Sequence, residues 1–313
     1  MNKKSKILIT GSSGMVGRTI VERLHKEGFS NLLLPRSKDL DLKSQSDVDD
    51  YFLKNSIDYV FHLAAKVGGI AANIASPADF LYENLLMQSN VIQAAHKNKI
   101  KKMLFLGSSC IYPRECPQPM LEEYLLTGKL EPTNEGYALA KISGLKLCEY
   151  FNKQYNDNFI CLMPCNLYGP YDHFESENSH VMSALISRFN KAKKEKLPYV
   201  EIWGTGSARR EFLYTEDIAD AMFFFMEKYE SKDMPPFVNI GTGNDISIKE
   251  LAYLIKTLIG FDGEIRFDTS KPDGMPKKLL DVSKANSLGW KHNKTIEDGI
   301  KNTINWYLEQ NIK

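Results

Sequence analysis

Tyr137 and Lys141 are four residues apart in the sequence, and together they could carry out a proton transfer. In a helix, residues at this spacing lie on one face, so the phenol and the ammonium would be neighbours. A phenol with an ordinary pKa of about 10 becomes a useful acid near neutral pH when an ammonium and a cationic cofactor stabilise its phenolate. Ser108 follows a predicted strand, where ligands of parallel sheets usually bind. These three side chains predict protonation of a carbonyl oxygen during hydride transfer.

A glycine-rich segment near the N terminus has the spacing of a dinucleotide-binding loop. Its glycines recur every third residue, directly after an apolar run and at the start of an amphipathic stretch. In a strand–turn–helix unit of this kind, backbone N–H groups and the helix dipole stabilise a pyrophosphate. The candidate loop residues are Gly11, Ser13, Gly14, Met15, Val16 and Gly17.

The residues after the second predicted strand favour NADP(H) over NAD(H). An acidic residue here would bind the ribose 2′-hydroxyl of NAD, whereas a cation suits the 2′-phosphate of NADP. The segment Pro35-Arg36-Ser37-Lys38 is basic, and the first acidic residues come later. Arg36 is therefore the candidate for the 2′-phosphate, with Asp41 and Leu42 near the adenine and Ala64 lining the cofactor from the third strand. The other interpretation is a solvated basic turn.

Apolar runs and amphipathic stretches alternate through the first half of the chain, and this alternation predicts a parallel sheet. The predicted strands cover residues 7–10, 31–35, 59–64, 102–107 and 159–164. The predicted helices cover residues 15–26, 79–98 and 137–155. Elements in this order are typical of a doubly wound, Rossmann-type α/β domain.

The second half of the chain alternates less regularly and predicts a smaller mixed C-terminal lobe. A basic helix is predicted at 184–196 and a short strand at 201–203. A strand at 237–240 and a helix beginning near Ser247 indicate a return to the main sheet. The predicted NADP(H)-binding domain comprises residues 1–166 and about 213–246, and the predicted substrate-binding lobe comprises about 167–212 and 247–313.

Composition argues against several other classes of protein. The 313 residues include 40 Lys and Arg against 39 Asp and Glu, so no strong field favours nucleic acid or an anionic membrane. The 5 cysteines match no zinc spacing, so we expect reduced thiols and no metal site. No signal peptide is recognisable after Met1, and no apolar stretch approaches the roughly 20 residues of a membrane span. A cytoplasmic enzyme with a small-molecule substrate is therefore expected.

Several longer strings resemble the GDP-L-fucose synthases, a family of extended short-chain dehydrogenases/reductases. The strings are Ala64–Ile70, Leu106–Pro113, Glu131–Glu135, Asn166–Pro170, Asn178–Val181 and Arg210–Leu213. The resemblance covers nearly the whole chain. It implies NADPH-dependent 3,5-epimerisation and 4-reduction of GDP-4-keto-6-deoxy-D-mannose to GDP-L-fucose. It also implies a homodimer formed through a four-helix contact.

Cys110 and His180 match the family positions that carry out epimerisation. Protons at C3 and C5 are acidic because the carbanion delocalises into the C4 ketone, and inversion needs a base and an acid on opposite faces. The resemblance implies that Cys110 is the base and His180 the acid. From the residues alone, Cys110 could equally be a small buried hydrophobe and His180 a residue that hydrogen-bonds a loop.

The resemblance also implies further binding residues. The remaining cofactor candidates are Lys141, Pro164, Asn166, Leu167 and His180. The substrate candidates are Ser109, Arg188, Trp203, Arg210, Asp273 and Lys278. Guanidinium groups suit the diphosphate of a nucleotide sugar because they can donate two parallel hydrogen bonds.

Three alternatives remain open at this point. One is a C4-reductase with little or no epimerase activity that acts on a related GDP-4-keto-6-deoxy sugar such as a heptose, because Cys165, Tyr171 and His173 are atypical for the family. Another is a UDP-sugar 4-epimerase that retains NAD, which would favour an acidic residue after the second strand. The third is a non-catalytic dinucleotide sensor, which the intact Tyr137 and Lys141 disfavour.

Overall fold

The computed structural model describes residues 1–174, 179–271, 273 and 275–310. The strands are β1 Ile7–Thr10, β2 Leu32–Leu33, β3 Tyr59–His62, β4 Lys102–Leu106, β5 Phe159–Pro164, β6 Asn166–Tyr168, β7 Tyr199–Trp203, β8 Arg209–Arg210, β9 Phe212–Tyr214, β10 Val238–Ile240, β11 Ile246–Ser247, β12 Glu264–Asp268 and β13 Lys277–Lys278. The main sheet has the order β10-β5-β4-β3-β1-β2, and each neighbouring pair is parallel. The predicted doubly wound α/β fold is confirmed.

Helices pack against this sheet or against a second hydrophobic cluster because each has an apolar stripe to bury. The helices are α1 Met15–Lys26, α2 Gln45–Asn55, α3 Ile70–Ala75, α4 Pro77–Lys97, α5 Glu135–Tyr155, α6 Val181–Lys194, α7 Thr215–Lys228, α8 Ile248–Ile259, α9 Ser283–Ser287 and α10 Ile296–Gln310. One layer contains α1 packed on α7, and another contains α4 packed on α5 and α2. Within the described ranges, none of the helices has the length and apolar character needed to cross a membrane.

A second hydrophobic cluster lies apart from the core of the main sheet. It contains buried residues of α6, α8 and α10, among them Phe189, Ile255 and Ile300. Three small sheets complete this region: β6 pairs with β9, β7 pairs with β12, and β8 lies between β11 and β13. The assignment of this region as the substrate-binding lobe, with the boundaries given above, stays a prediction.

Two strands are shorter than the sequence predicts by two or more residues. The second covers Leu32–Leu33 and not 31–35, because Pro35 has no N–H to continue the ladder with β1. The third ends at His62 and not at Ala64, because the N–H groups of Leu63 and Ala64 donate to the Thr10 hydroxyl. Both strands therefore end where the chain turns towards the candidate site.

Two helix predictions also need correction. The basic helix begins at Val181, three residues earlier than predicted, so His180 becomes its N-cap residue. The strand Val238–Ile240 does return to the main sheet beside β5. The helix after Ser247 does not, because its buried residues, among them Leu251 and Ile255, belong to the second cluster.

Candidate active site

A large cavity lies at the carboxyl ends of the parallel strands, the usual location of ligands in open α/β sheets. Its volume is about 870 Å³, within the range of small-molecule sites. The catalytic candidates all line it, namely Ser108, Cys110, Tyr137, Lys141 and His180. The cofactor candidates line it too, namely Gly11, Ser13, Gly14, Met15, Val16, Gly17, Arg36, Asp41, Leu42, Ala64, Lys141, Pro164, Asn166, Leu167 and His180.

The glycine loop forms a close turn at one end of the cavity. Gly11 has a positive φ of 71°, and a Cβ there would lie 2.8 Å from the Ala64 nitrogen. A Cβ on Gly17 would lie 2.1 Å from the Gly11 carbonyl oxygen, so only glycine lets α1 approach the loop. Gly14 caps α1 without a side chain, which leaves the N-terminal face of the helix open towards the cavity. This cradle fits a pyrophosphate.

Hydrogen bonds around the Thr10 hydroxyl form a clamp between the end of β1 and the residues that follow β3. The Thr10 hydroxyl accepts hydrogen bonds from the Leu63 and Ala64 nitrogens at 3.2 Å each and lies 2.9 Å from His62 Nδ1. Burial, helped by the charge of Lys141, lowers the pKa of His62 to about 3, so the imidazole is neutral. The clamp holds Ala64 against the glycine loop. Neither Thr10 nor His62 is among the site residues predicted from the sequence.

The reduction residues meet where α5 passes the end of β4. Lys141 Nζ donates to the Leu106 carbonyl at 2.9 Å and lies 5.8 Å from the centre of the Tyr137 ring. Burial raises the pKa of Tyr137, and the charge of Cys110 adds to this, whereas a hydrogen bond with Ser108 opposes it. Burial lowers the pKa of Lys141 to about 8, against the opposing effect of Cys110. The phenol thus keeps its proton at neutral pH and can serve as an acid.

The two epimerisation candidates reach the cavity from different parts of the chain. Cys110 lies in a short turn after β4, half-buried, and its sulfur is 3.3 Å from Asn134 Nδ2 and 3.6 Å from Lys278 Nζ. His180 is exposed at the start of α6. Asp172 lines the same cavity, and burial raises the pKa of its carboxyl although the charge of His180 acts in the opposite direction.

The substrate candidates do not all share this cavity. Ser109 and Arg210 line it, and the Arg210 guanidinium also donates to the Met275 carbonyl at 2.5 Å. The other four lie outside its lining, namely Arg188, Trp203, Asp273 and Lys278. Arg188 and Asp273 are exposed, as is Trp203, with 62% of its surface accessible. Their role in binding a nucleotide stays a prediction.

Several residues that line the cavity are not among the site residues predicted from the sequence. Asn134 is the N-cap residue of α5, three residues before Tyr137, and its place in the string Glu131–Glu135 was the available signal. Asn73 is nearly buried and donates to the carbonyls of Gly68 and Gly69. Cys165, Tyr171 and His173, noted above as atypical, all line the cavity. Asn178 lies outside the described residues.

A known protein family and curated proteins resemble this chain over most of its length. A family model described as the NAD dependent epimerase/dehydratase family matches residues 7–241. A GDP-L-fucose synthase of Escherichia coli (strain K12) is 47% identical over 312 residues, with 98% of this chain and 97% of the relative covered.

Solved structures show the same architecture over the full length. A GDP-mannoheptose C4 reductase from Campylobacter jejuni with NADP bound superposes with a TM-score of 0.91 and 42% identity, covering 98% of this chain and 99% of that chain. A GDP-L-fucose synthetase from Naegleria fowleri bound to NADP also gives a TM-score of 0.91, with 28% identity and coverage of 100% and 97%.

Proposed function

Because the chain belongs to the NAD dependent epimerase/dehydratase family, we propose that it is an NADPH-dependent GDP-L-fucose synthase. It would convert GDP-4-keto-6-deoxy-D-mannose to GDP-L-fucose by inverting C3 and C5 and reducing C4. The observation that carries this proposal is that the three reduction candidates and both epimerisation candidates line one cavity. The glycine cradle at the end of that cavity supports the dinucleotide cofactor.

In the reduction step, NADPH supplies the hydride that is added to C4. Tyr137 donates its phenolic proton to the oxygen that becomes the hydroxyl. Ser108, which hydrogen-bonds the phenol, orients the carbonyl beside it. The Lys141 ammonium, held by the Leu106 carbonyl, stabilises the phenolate left after the transfer.

In the epimerisation steps, the Cys110 thiolate removes the proton from C3 or C5, and the electron pair delocalises onto the C4 oxygen as an enolate. His180 then returns a proton to the opposite face of the same carbon. The thiol and the imidazole exchange their protons with water before the next inversion. Each inversion therefore replaces one carbon-bound hydrogen with a hydrogen that came from solvent.

Arg36 provides a test of cofactor choice. Its side chain is exposed, lines the cavity and pairs with Asp39 only through Nε, at 3.3 Å, so the rest of the fork can bind a 2′-phosphate. Arg36→Ala is expected to raise the Kd of NADPH about tenfold, as for loss of a charge-assisted hydrogen bond, and to leave the Kd of NADH unchanged. Fluorescence titration measures both constants.

Lys38→Ala is the matched control, because Lys38 is exposed and basic but does not line the cavity. Equal weakening of NADPH binding in both variants would show that the loop acts only through its overall charge and not through a phosphate contact at Arg36.

The rate of reduction is expected to fall as the pH rises through about 8, because burial lowers the pKa of Lys141 to about 8. Below that value the ammonium is present and stabilises the phenolate; above it the charge is lost, and the rate drops by up to roughly tenfold per pH unit. Stopped-flow single turnovers at saturating NADPH measure this profile.

Lys141→Arg should move the fall to much higher pH, since a guanidinium keeps its charge throughout this range. A wild-type profile that stays flat for more than one unit above the pKa of Lys141 would contradict the role assigned to its charge.

The proposed function is tested by incubating the purified protein with GDP-4-keto-6-deoxy-D-mannose and NADPH. We expect stoichiometric NADPH oxidation and a product that coelutes with authentic GDP-L-fucose. The second candidate is a GDP-4-keto-heptose C4-reductase, which is supported by the full-length likeness to the Campylobacter jejuni reductase. A kcat/KM at least tenfold higher for a GDP-4-keto-heptose than for the deoxyhexose would favour that candidate.

We also propose that the protein acts in the cytoplasm as a homodimer formed through α4 and α5. Tyr82 on α4, and Leu139 and Tyr150 on α5, are large side chains with 40% or more of their surface accessible. Burial of such side chains would favour pairing of the two helices with their copies. Sedimentation analysis distinguishes a single chain of 35.6 kDa from a particle of twice that mass.

A further inference from the structure

The sulfur of Cys110 lies next to two hydrogen-bond donors from distant parts of the chain. Asn134 Nδ2 is 3.3 Å from it, and Lys278 Nζ is 3.6 Å from it. Both distances are within hydrogen-bond range for the larger sulfur atom. A thiolate accepts such bonds and gains charge stabilisation from an ammonium, whereas a neutral thiol is a weak acceptor.

The Lys278 ammonium is available for this role because it forms no ion pair with a carboxylate of the described residues. Lys277, its neighbour on β13, forms a 3.0 Å ion pair with Asp245. Among the described residues, no carboxylate oxygen comes within ion-pair distance of Lys278 Nζ, whose hydrogen-bond partner is the Cys110 sulfur. Successive residues of a strand point to opposite sides, so Lys277 and Lys278 contact different groups.

Asn134 fixes the sulfur from the other direction. It is the N-cap residue of α5, the helix that carries Tyr137 and Lys141. The hydrogen bond from its amide therefore fixes the position of the Cys110 sulfur relative to the helix that carries the reduction residues. The two donors hold the sulfur between the N terminus of α5 and β13.

The other cysteines near Lys278 lack this arrangement. Burial raises the pKa of Cys165, and its sulfur lies 3.9 Å from the Asn166 carbonyl, an acceptor that a thiolate would repel. Burial also raises the pKa of Cys116, whose sulfur lies 4.0 Å from the Gln118 amide nitrogen. Cys110 is the cysteine that both lines the cavity and contacts a cation.

We propose that Lys278 and Asn134 are positioning residues for Cys110, which hold its thiolate ready to accept a proton from the keto sugar. This inference rests on the proposed function for its use in epimerisation, and it gives Lys278 a role other than binding the nucleotide. In the step itself the proton moves from carbon to sulfur, and the electron pair moves to the C4 oxygen. The Lys278 ammonium provides the compensating charge.

The direct test is the rate at which iodoacetamide alkylates Cys110 in the free enzyme, followed by mass spectrometry of the peptide, with glutathione in the same reaction as the reference thiol. Only the thiolate reacts. Lys278→Met is expected to slow alkylation of Cys110 about tenfold and Asn134→Ala about threefold, with the alkylation of glutathione unchanged. Lys278→Arg, which keeps the charge, should restore most of the rate. Lys277→Met is the matched control and should react as the wild type does.

The second measurement is the split between epimerisation and reduction. In Lys278→Met, solvent deuterium incorporation at C3 and C5 should fall about tenfold, while GDP affinity changes less than twofold. Unchanged alkylation with a weakened GDP affinity would overturn the proposal and return Lys278 to the nucleotide site. Slower alkylation in a protein whose wild type never exchanges deuterium would keep the positioning role but refute the epimerase. Circular dichroism of each variant separates these results from misfolding.

Discussion

Replacing Tyr137 with phenylalanine is expected to slow the reduction of the keto sugar about 10³-fold, the usual loss when a general acid is removed. The ring remains on α5, 5.8 Å from Lys141 Nζ in the wild type, so packing and cofactor binding should be preserved. What is lost is the phenolic proton, which burial keeps in place at neutral pH by raising the pKa of Tyr137. Single-turnover NADPH oxidation measures the effect.

Tyr155→Phe is the control for this variant, because Tyr155 lies on the same helix with 50% of its surface exposed. It should reduce substrate at the wild-type rate. Because Cys110 and His180 remain in Tyr137→Phe, deuterium exchange at C3 and C5 should continue in that variant. A Tyr137→Phe enzyme that keeps more than a tenth of the wild-type rate would mean that another group is the acid.

Cys110→Ala is expected to lower exchange at C3 and C5 by about 10²- to 10³-fold while reduction continues, so that the product is a 6-deoxy sugar that has not been epimerised. The sulfur is the base, and Cys165, which also lines the cavity, has its sulfur beside the Asn166 carbonyl and not beside the donors that contact Cys110. The measurement is NMR of the product together with the rate of NADPH oxidation.

Cys116→Ala serves as the control, since Cys116 is half-buried and does not line the cavity. It should give fully epimerised product. The removal of Cys110 should also lower the pKa of Lys141 further, because the thiolate charge opposes the effect of burial on that lysine. The fall in reduction rate would then begin at lower pH. Normal exchange in Cys110→Ala would place the base elsewhere in the cavity.

The elements most accessible from sequence were those with strong, local signals. The first strand, the helix after it and the strand Phe159–Pro164 have the predicted bounds, because apolar runs and glycine turns specify them locally. The second strand was overestimated because its apolar residues extend beyond the two that pair with β1. The helix after Ser247 was misplaced because its periodicity shows that one face is buried but not what it packs against.

The candidate site likewise combines local patterns, which the sequence predicts, with contacts between distant residues, which it does not predict. Glycine spacing and the Tyr137–Lys141 pair are local patterns, and both lead to the cavity. The contact between Lys278 and Cys110 joins residues 168 apart, and the hydrogen bond between Thr10 and His62 joins residues 52 apart. A pattern read along one sequence has no means of pairing such residues, because the topology of the sheet brings them together. The polar surroundings of the Cys110 sulfur therefore emerged only from the structure.

Turnover in deuterated water tests whether one cavity performs both epimerisation and reduction. The purified protein is incubated with GDP-4-keto-6-deoxy-D-mannose and NADPH, and the product is analysed by NMR. We predict GDP-L-fucose with deuterium at both C3 and C5 and with NADPH-derived hydrogen at C4. A reduced product that carries no deuterium at C3 and none at C5 would contradict the proposed epimerase activity and identify the protein as a reductase alone.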